Sequence, residues 1–319
     1  MRHLTPKAIT LLALVALILV APLFFPSSFY YRVGTLMFIN GLAVTGLVIL
    51  IGYAGQISLG HAGFCGIGAY ACALAPVHLG LPPVLAMLLG AVISGALAYL
   101  VGRPILRLKG HYLAVATLGF GILIFMVLSN ESWLTGGPDG MQVEDLGLRA
   151  LLKSVGISVP AAELWYWLSA LVLLLGAALA LNLHTSSTGR ALRSLHDSEI
   201  AARTVGVDVA HFKLMAFVIS AVYASVSGSL LAMMNKFVSP DIAGFLHSVQ
   251  LVTMTVLGGA GSVFGAITGA SILTALPQGL TIFHDYEHIV LGLIMMLVMI
   301  FLREGLVPSL IKRFSRRQG

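Results

Sequence analysis

The sequence predicts an all-α, polytopic membrane protein, and three observations carry that prediction. Of 319 residues, 58% are hydrophobic and 9% charged, against roughly 45–50% and about 25% in a soluble domain. No Asp, Glu, Lys or Arg occurs from Ala8 to Tyr31, from Val33 to Gly102 or from Ile242 to His284, and a membrane-crossing helix needs about 20 predominantly apolar residues. The basic residues collect in alternate gaps between the apolar runs, the pattern that membrane sidedness imposes. One membrane domain spanning 1–319 is the natural division.

The first apolar run, 8–25, follows Arg2 and Lys7 as a signal peptide would. It is longer than an h-region of about 7–15 residues, and Pro22, Phe24 and Phe25 replace a small-residue cleavage site, so it reads as an uncleaved span. Further spans are expected at about 34–52, 56–75, 83–101, 111–129, 165–183, 212–234, 245–260, 263–282 and 288–302, ten in all. Ten spans divide into five plus five, which places the two halves in inverted orientation, as in many transporters. The turns Gly52–Gly55 and Gly258–Gly261 carry no charge. Each fits either a turn at the membrane surface or a break inside a discontinuous helix, which is tolerated only where it is buried in protein or lines a cavity. Cys65 and Cys72, seven residues apart in one apolar run, are expected to be small buried hydrophobes.

With the N-terminus inside, the inner segments hold 14 of the 18 basic residues, from Arg2 and Lys7 to the C-terminal Arg316 and Arg317. Only Arg32, Arg149, Lys153 and Lys236 fall outside. The net charge of +6 is therefore a sidedness signal and an attraction to anionic lipid, not a sign of nucleic-acid binding. Both termini are expected in the cytoplasm. The longest outer segment, 130–163, holds an acidic excess and the turn-forming run Thr135–Gly140. Trp133, Trp165 and Trp167 are expected as interfacial anchors.

The inner segment 186–211 is anomalous for this chain, since residues 189–213 hold seven charged side chains. Ser187 or Thr188 is a candidate helix cap, Gly206 a terminator and Asp208 the cap of the following span. Leu192, Leu195, Ala202 and Val205 share a face at helical spacing. The mixed charge and narrow apolar stripe fit a helix docking in a partner's groove better than one lying on lipid.

Here the letters resemble a known family. Ile200–Gly206, IAARTVG, is similar to the EAA---G signature of bacterial ABC-importer permeases, with Ile200 where the motif has Glu, and Glu199 one place earlier. The longer string from Ala191, with GYAGQISLGHAGFCGIGAY (52–70), LKGHYLAVATLGFG (108–121), LTGGPDGM (134–141) and VLGGAGSVFGAITGA (256–270), resembles branched-chain amino acid permeases of the LivM type. The resemblance implies a permease in the bacterial inner membrane for leucine, isoleucine and valine. It implies partners: a LivH-type sister permease, two ATPase subunits and an extracytoplasmic binding protein. It also implies a coupling helix that transmits ATPase closure through Arg190, Leu192, Arg193, Leu195, Asp197, Glu199, Ala201, Ala202 and Gly206. No lysine of the chain lies in a G-x-x-x-x-G-K-[ST] context, so the chain is not its own P-loop ATPase and ATP would be used by the partners. With no cluster of His, Asp or Glu at one membrane depth, no enzymatic activity, cofactor or metal is expected in this chain.

Segment 52–68 carries six glycines. Close helix packing and an unwound stretch beside a translocation path both fit. Gln56, Ser58, Gly60, His61 and Gly63, with Tyr112 and Thr117, are the candidate pathway residues; Thr253 and Thr255 are weaker ones. His61 reads equally well as a neutral, hydrogen-bonded imidazole. The alternatives are a permease for urea, amides or other small solutes, and a secondary transporter. The latter would want intramembrane Asp, Glu or Arg, whereas the acidic residues here lie in loops or at span ends.

Overall fold

The computed structural model of the protein describes residues 6–147 and 159–279, together with Gly292, Leu293, Met296 and Gly305. Among the described residues seven helices are long and apolar enough to cross a membrane. They are α1 (Pro6–Val20, prolonged as a 3-10 turn to Phe24), α2 (Ser28–Leu47, prolonged as a π-helix to Tyr53), α3 (His61–Leu79), α4 (Pro83–Ile105) and α5 (His111–Asn130). After a single turn, α6 (Ser132–Thr135), come α7 (Ala161–Thr185), the short α8 (Ser187–Asp197) and α9 (Glu199–Thr204), and the long α10 (Val209–Asn235). Then come α11 (Phe245–Gly258) and α12 (Val263–Gly279).

The first nine expected spans fall on helices with shifted edges, and one of these is shorter than a bilayer. At 1.5 Å per residue, the 14 residues of α11 reach about 21 Å, against a hydrocarbon thickness of ~30 Å; α12 meets the edge of the described residues at Gly279. The tenth expected span, 288–302, lies outside the described residues apart from Gly292, Leu293 and Met296.

Helices α2 and α10 form the centre, packed on each other. Helices α3 and α4 pack on α10, and α7 and α12 on α2. Small residues and hydroxyls drive this assembly, since lipid gives no hydrophobic preference for helix pairing. Helices α3 and α10 cross in backbone contact: a Cβ on Gly68 would lie 2.0 Å from the Ser225 carbonyl, and one on Gly228 2.0 Å from that of Cys65. Ser227 donates to the Ile39 carbonyl (2.8 Å) and Asn40 to Thr274 Oγ1 (2.9 Å), tying α10 and α12 to α2. Helix α1 shows only a stripe, Leu14 and Ile18, to the core, and Tyr166 of α7 donates to the Ile18 carbonyl (2.9 Å). Cys65 and Cys72 are free thiols buried in α3.

One end of the bundle is basic. Lys7 donates to Asn182 at the end of α7, and Arg103, Arg107, Lys109, Arg203 and Lys213 surround one pocket between α4 and α10. At the other end Arg32 donates to Asn235. There a two-residue antiparallel ladder pairs Met141 with Val238 and Gln142 with Phe237, and Lys236 meets Asp145 at 2.9 Å. The expected outer loop 130–163 is thus stitched, in its first part, to the chain entering α11; residues 148–158 lie outside the described ones. Trp133 is exposed, as an interfacial anchor requires, but Trp165 is buried in the core. It starts α7 on the face turned to the bundle.

Two spans are interrupted, and they mirror each other. The chain leaves α2 at the basic end, turns at Ala54 and Gly55 (φ +67), and re-enters the bundle as non-helical backbone to Gly60 before α3 begins. From the opposite end, residues 236–244 descend through β2 (Phe237–Val238) and a 3-10 turn (Pro240–Ala243) before α11 begins. The starts of α3 and α11 meet inside: Ala62 N donates to Ser248 Oγ (3.0 Å), and a Cβ on Gly66 would lie 2.7 Å from that of Ala243. The glycine-rich turn at 52–60 is therefore a break within a span, and the expected helix 56–75 begins only at His61. The turn at Gly259–Ser262 instead reverses the chain at the basic end, where it shares a pocket with Lys7, Tyr53 and His184.

Candidate functional site

Along 54–60 Ala54, Gln56, Ser58 and Gly60 are buried, while Gly55 and Ile57 are exposed. This turns the polar residues in. Gln56 is buried, and neither its amide nitrogen nor its oxygen has a hydrogen-bond partner among the described residues. A buried amide left unpaired is costly. Ser58 and His61 form a closed network, with His61 Nδ1 2.9 Å from Ser58 Oγ and Nε2 2.6 Å from Ser220 Oγ of α10. Both imidazole nitrogens are satisfied, by hydroxyls and not by backbone. Thr117 of α5 donates to the Ala114 carbonyl (2.9 Å) and accepts from Leu59 N (3.1 Å), which fixes the end of the non-helical segment. Gly60 is pressed on α5, where a Cβ would lie 2.1 Å from the Thr117 carbonyl oxygen. One turn on, a Cβ on Gly63 would lie 3.3 Å from Gly121 Cα. The structure thus brings together Gln56, Ser58, Gly60, His61, Gly63 and Thr117. Tyr112 is not with them: it is 77% exposed on the first turn of α5, placed by its helical phase on the outer face. Thr253 and Thr255 are buried on α11 and donate to the carbonyls of Val249 and Leu251.

His61→Ala is expected to leave the Ser58 and Ser220 hydroxyls unpaired and to lower thermal stability by about 1–3 kcal/mol. His61→Asn, which keeps an acceptor and a donor, should recover part of that loss in a thermal unfolding assay of the detergent-solubilised protein.

At the basic end the polar segment folds as two helices, not one. Ser186, one residue before the expected caps, accepts from Gly189 N (3.1 Å) and starts α8. Ser198 accepts from Ala201 N and starts α9. Gly206 ends α9 at φ +83, and Asp208 caps α10 through His211 N (3.1 Å). The apolar face is turned the other way from expectation. Leu192, Leu195 and Ala202 are buried against the chain's own bundle, because an exposed helix beside apolar spans lowers its free energy by covering them. They therefore hold the pair in place and are not on its free face. The exposed apolar side chains are Ile200 (78%) and Val205 (75%), with Arg190, Asp197, Ala201 and Gly206 also exposed beside them. Arg193 donates to the His184 carbonyl (3.0 Å) and touches its ring nitrogen (2.6 Å), anchoring α8 to the end of α7. His196 packs on the start of the non-helical segment, within 3.0 Å of where a Cβ on Gly55 would lie. His196 of α8 thus lies beside Gly55, one residue before Gln56.

Glu199 is ion-paired with Lys213, a lysine 5% exposed in the second turn of α10. Nothing local marks this partner beyond a 14-residue separation across a turn. Glu199→Gln should weaken the pair and leave a buried ammonium, at a cost of about 3–5 kcal/mol. The double variant Glu199→Leu with Lys213→Met should regain most of that. A double-mutant cycle in thermal unfolding checks both, and additive losses would exclude the pairing.

A family model described as the branched-chain amino acid transport system / permease component matches residues 30–299. The chain is similar to the permease protein LivM of the high-affinity branched-chain amino acid transport system of Salmonella typhimurium, at 32% identity over 90% of this chain and 72% of the relative. The BraD permease protein of Pseudomonas aeruginosa is 28% identical over 84% of this chain and 94% of its own length. LivH of Escherichia coli is 26% identical over 83% and 90%. No solved structure matches.

Proposed function

The chain belongs to the family of branched-chain amino acid transport system permease components, and on that premise we propose that it forms half of the translocation path of an ABC importer for leucine, isoleucine and valine. A sister permease of the LivH kind supplies the other half. Two ATPase subunits supply the energy and an extracytoplasmic binding protein delivers the substrate. The observation that supports this reading is the contact of the exposed α8–α9 pair with the interrupted span. Ile200 and Val205 are exposed and free to meet an ATPase, while His196 rests on Gly55, so on this reading a displacement of the pair would be passed to the segment bearing Gln56, Ser58 and His61. The site residues bind and guide; ATP chemistry belongs to the partners. The basic end, with α8 and α9, lies in the cytoplasm and the protein in the inner membrane, a placement supported by the 14-to-4 division of basic residues.

Sidedness has its own check. Ile200→Cys should react with membrane-impermeant thiol reagents in inverted vesicles and not in intact cells. Labelling in intact cells would reverse the orientation. The function is tested by reconstituting the chain with its sister permease, ATPases and binding protein and measuring leucine uptake driven by ATP. Uptake without ATP hydrolysis, or hydrolysis indifferent to the loaded binding protein, would defeat the reading.

A further inference from the structure

A pocket of about 630 Å³ opens at the basic end between the C-terminal end of α4, the α4–α5 linker and the elbow where α9 meets α10. We propose that it holds the phosphodiester headgroup of an anionic membrane phospholipid. The inference does not depend on the importer reading.

Charge comes first. The lining carries Arg103, Arg107, Lys109, Arg203 and Lys213 against Glu199 and Asp208. Lys213 and Glu199 neutralise each other, and Asp208 is occupied in capping α10. Four cations remain against the Asp208 carboxylate, a net positive excess of three, and the side chains of Arg107, Lys109 and Arg203 make no hydrogen bond or ion pair among the described residues. Like charges around one cavity repel one another, and a bound phosphodiester relieves that. Arginine suits the role through its planar fork of donors. Basic pockets between membrane helices are the setting in which acidic lipid headgroups are held.

The apolar surroundings select a lipid over a soluble anion or an acidic protein segment. On α4, Leu85, Leu88, Val92, Tyr99 and Leu100 are exposed. Their spacings of 3, 4, 7 and 8 residues put them on one stripe, which runs along the span into the pocket. Tyr99 closes the stripe: its hydroxyl accepts from Arg103, whose guanidinium carbon lies 4.4 Å from its ring centroid. An acyl chain laid along this stripe delivers its headgroup to Arg103, Arg107 and Lys109. Neither a soluble anion nor an acidic peptide would use the stripe.

The test counts bound lipids by native mass spectrometry on the purified transporter with its associated subunits. Phosphatidylglycerol and phosphatidylcholine of the same acyl chains are added separately. Wild type is expected to retain phosphatidylglycerol in preference. Arg107→Gln with Lys109→Gln should cut that preference roughly fivefold per cation removed, while Arg107→Lys with Lys109→Arg should keep it. Both positions are exposed linker residues, so the fold is not at stake, and each single variant carries the same test at half the effect. Equal retention of the two lipids by wild type, or an unchanged preference in the glutamine variant, overturns the proposal. Displacement of the lipid by inorganic phosphate at matched ionic strength would make the site one for a free anion. A variant that keeps its lipid preference but sheds an associated subunit would make the pocket a protein-docking surface.

Discussion

Gly60→Ala is expected to remove most of the folded protein from the membrane fraction, while Gly119→Ala leaves it at the wild-type level. A Cβ at position 60 would meet the Thr117 carbonyl oxygen at 2.1 Å, and the α5 backbone also closes in from Gly121, whose own added Cβ would lie 3.0 Å from Gly60 Cα. Neither wall is the far end of a flexible side chain, so relief requires moving α5 or the non-helical segment. Overpacking of this kind costs about 1–3 kcal/mol or more, a large part of a stability of roughly 5–15 kcal/mol. Gly119 has nothing within 4 Å of an added Cβ, so there the same substitution only exchanges glycine for a better helix former. Gly63→Ala should fall between: its nearest neighbour, at 3.3 Å, needs a shift of a few tenths of an ångström. Gly63→Leu should behave like Gly60→Ala. Yield after size exclusion and thermal unfolding of the soluble fraction rank the four variants. Equal behaviour of Gly60→Ala and Gly119→Ala would mean that the segment does not touch α5.

The spans were legible because a charge-free run of apolar residues has few other places to go. The break at 54–60 was only half legible. Glycines announced it, but close packing and unwinding need the same residue, and the two can be told apart only by where α5 and α11 stand. The mirrored entry at 236–244 gave less: Pro240 and Gly244 flank it, but its depth depends on Ala243 meeting Gly66, a contact between distant parts of the chain. Helical phase placed Leu192, Leu195, Ala202 and Val205 on one stripe, but the break at Ser198 splits the segment into two helices and Val205 is exposed while the other three are buried; nor can phase say whether a stripe covers the chain's own spans or a partner. The pairing of Ser58 and Ser220 with His61 joins positions 159 residues apart on α3 and α10, and no local pattern encodes it. Tyr112 was grouped with the pathway by sequence neighbourhood alone, and a five-residue separation, about 140° of helical phase, turns it away from the face that carries Thr117.

Ile200→Asp with Val205→Asp is expected to abolish ATP-driven uptake while leaving the fold intact. Both side chains project from the basic end, 78% and 75% exposed, so in the isolated chain the substitution costs little. In a docked complex it would bury two unpaired carboxylates, which an apolar groove does not tolerate. Loss of a docking hot spot costs about 2 kcal/mol or more, or roughly thirtyfold in affinity. Ala202→Asp is a poorer probe, because Ala202 is buried in this chain's own packing and the charge would unseat α9 whether or not a partner exists. Gly206→Val acts on geometry instead. At φ +83 a β-branched residue is strained, by about 1–3 kcal/mol, although nothing lies within 4 Å of an added Cβ. The strain is relieved by rotating α9 about the elbow, which misaligns Ile200 with any groove. Gly206→Asn, which enters the left-handed region readily, should keep near-normal coupling. The measurement is ATPase activity stimulated by the loaded binding protein, beside uptake, in the reconstituted assembly. If the aspartate pair and Gly206→Val both keep wild-type stimulation, the α8–α9 pair is a solvated connector. The motor would then have to dock elsewhere on the basic end.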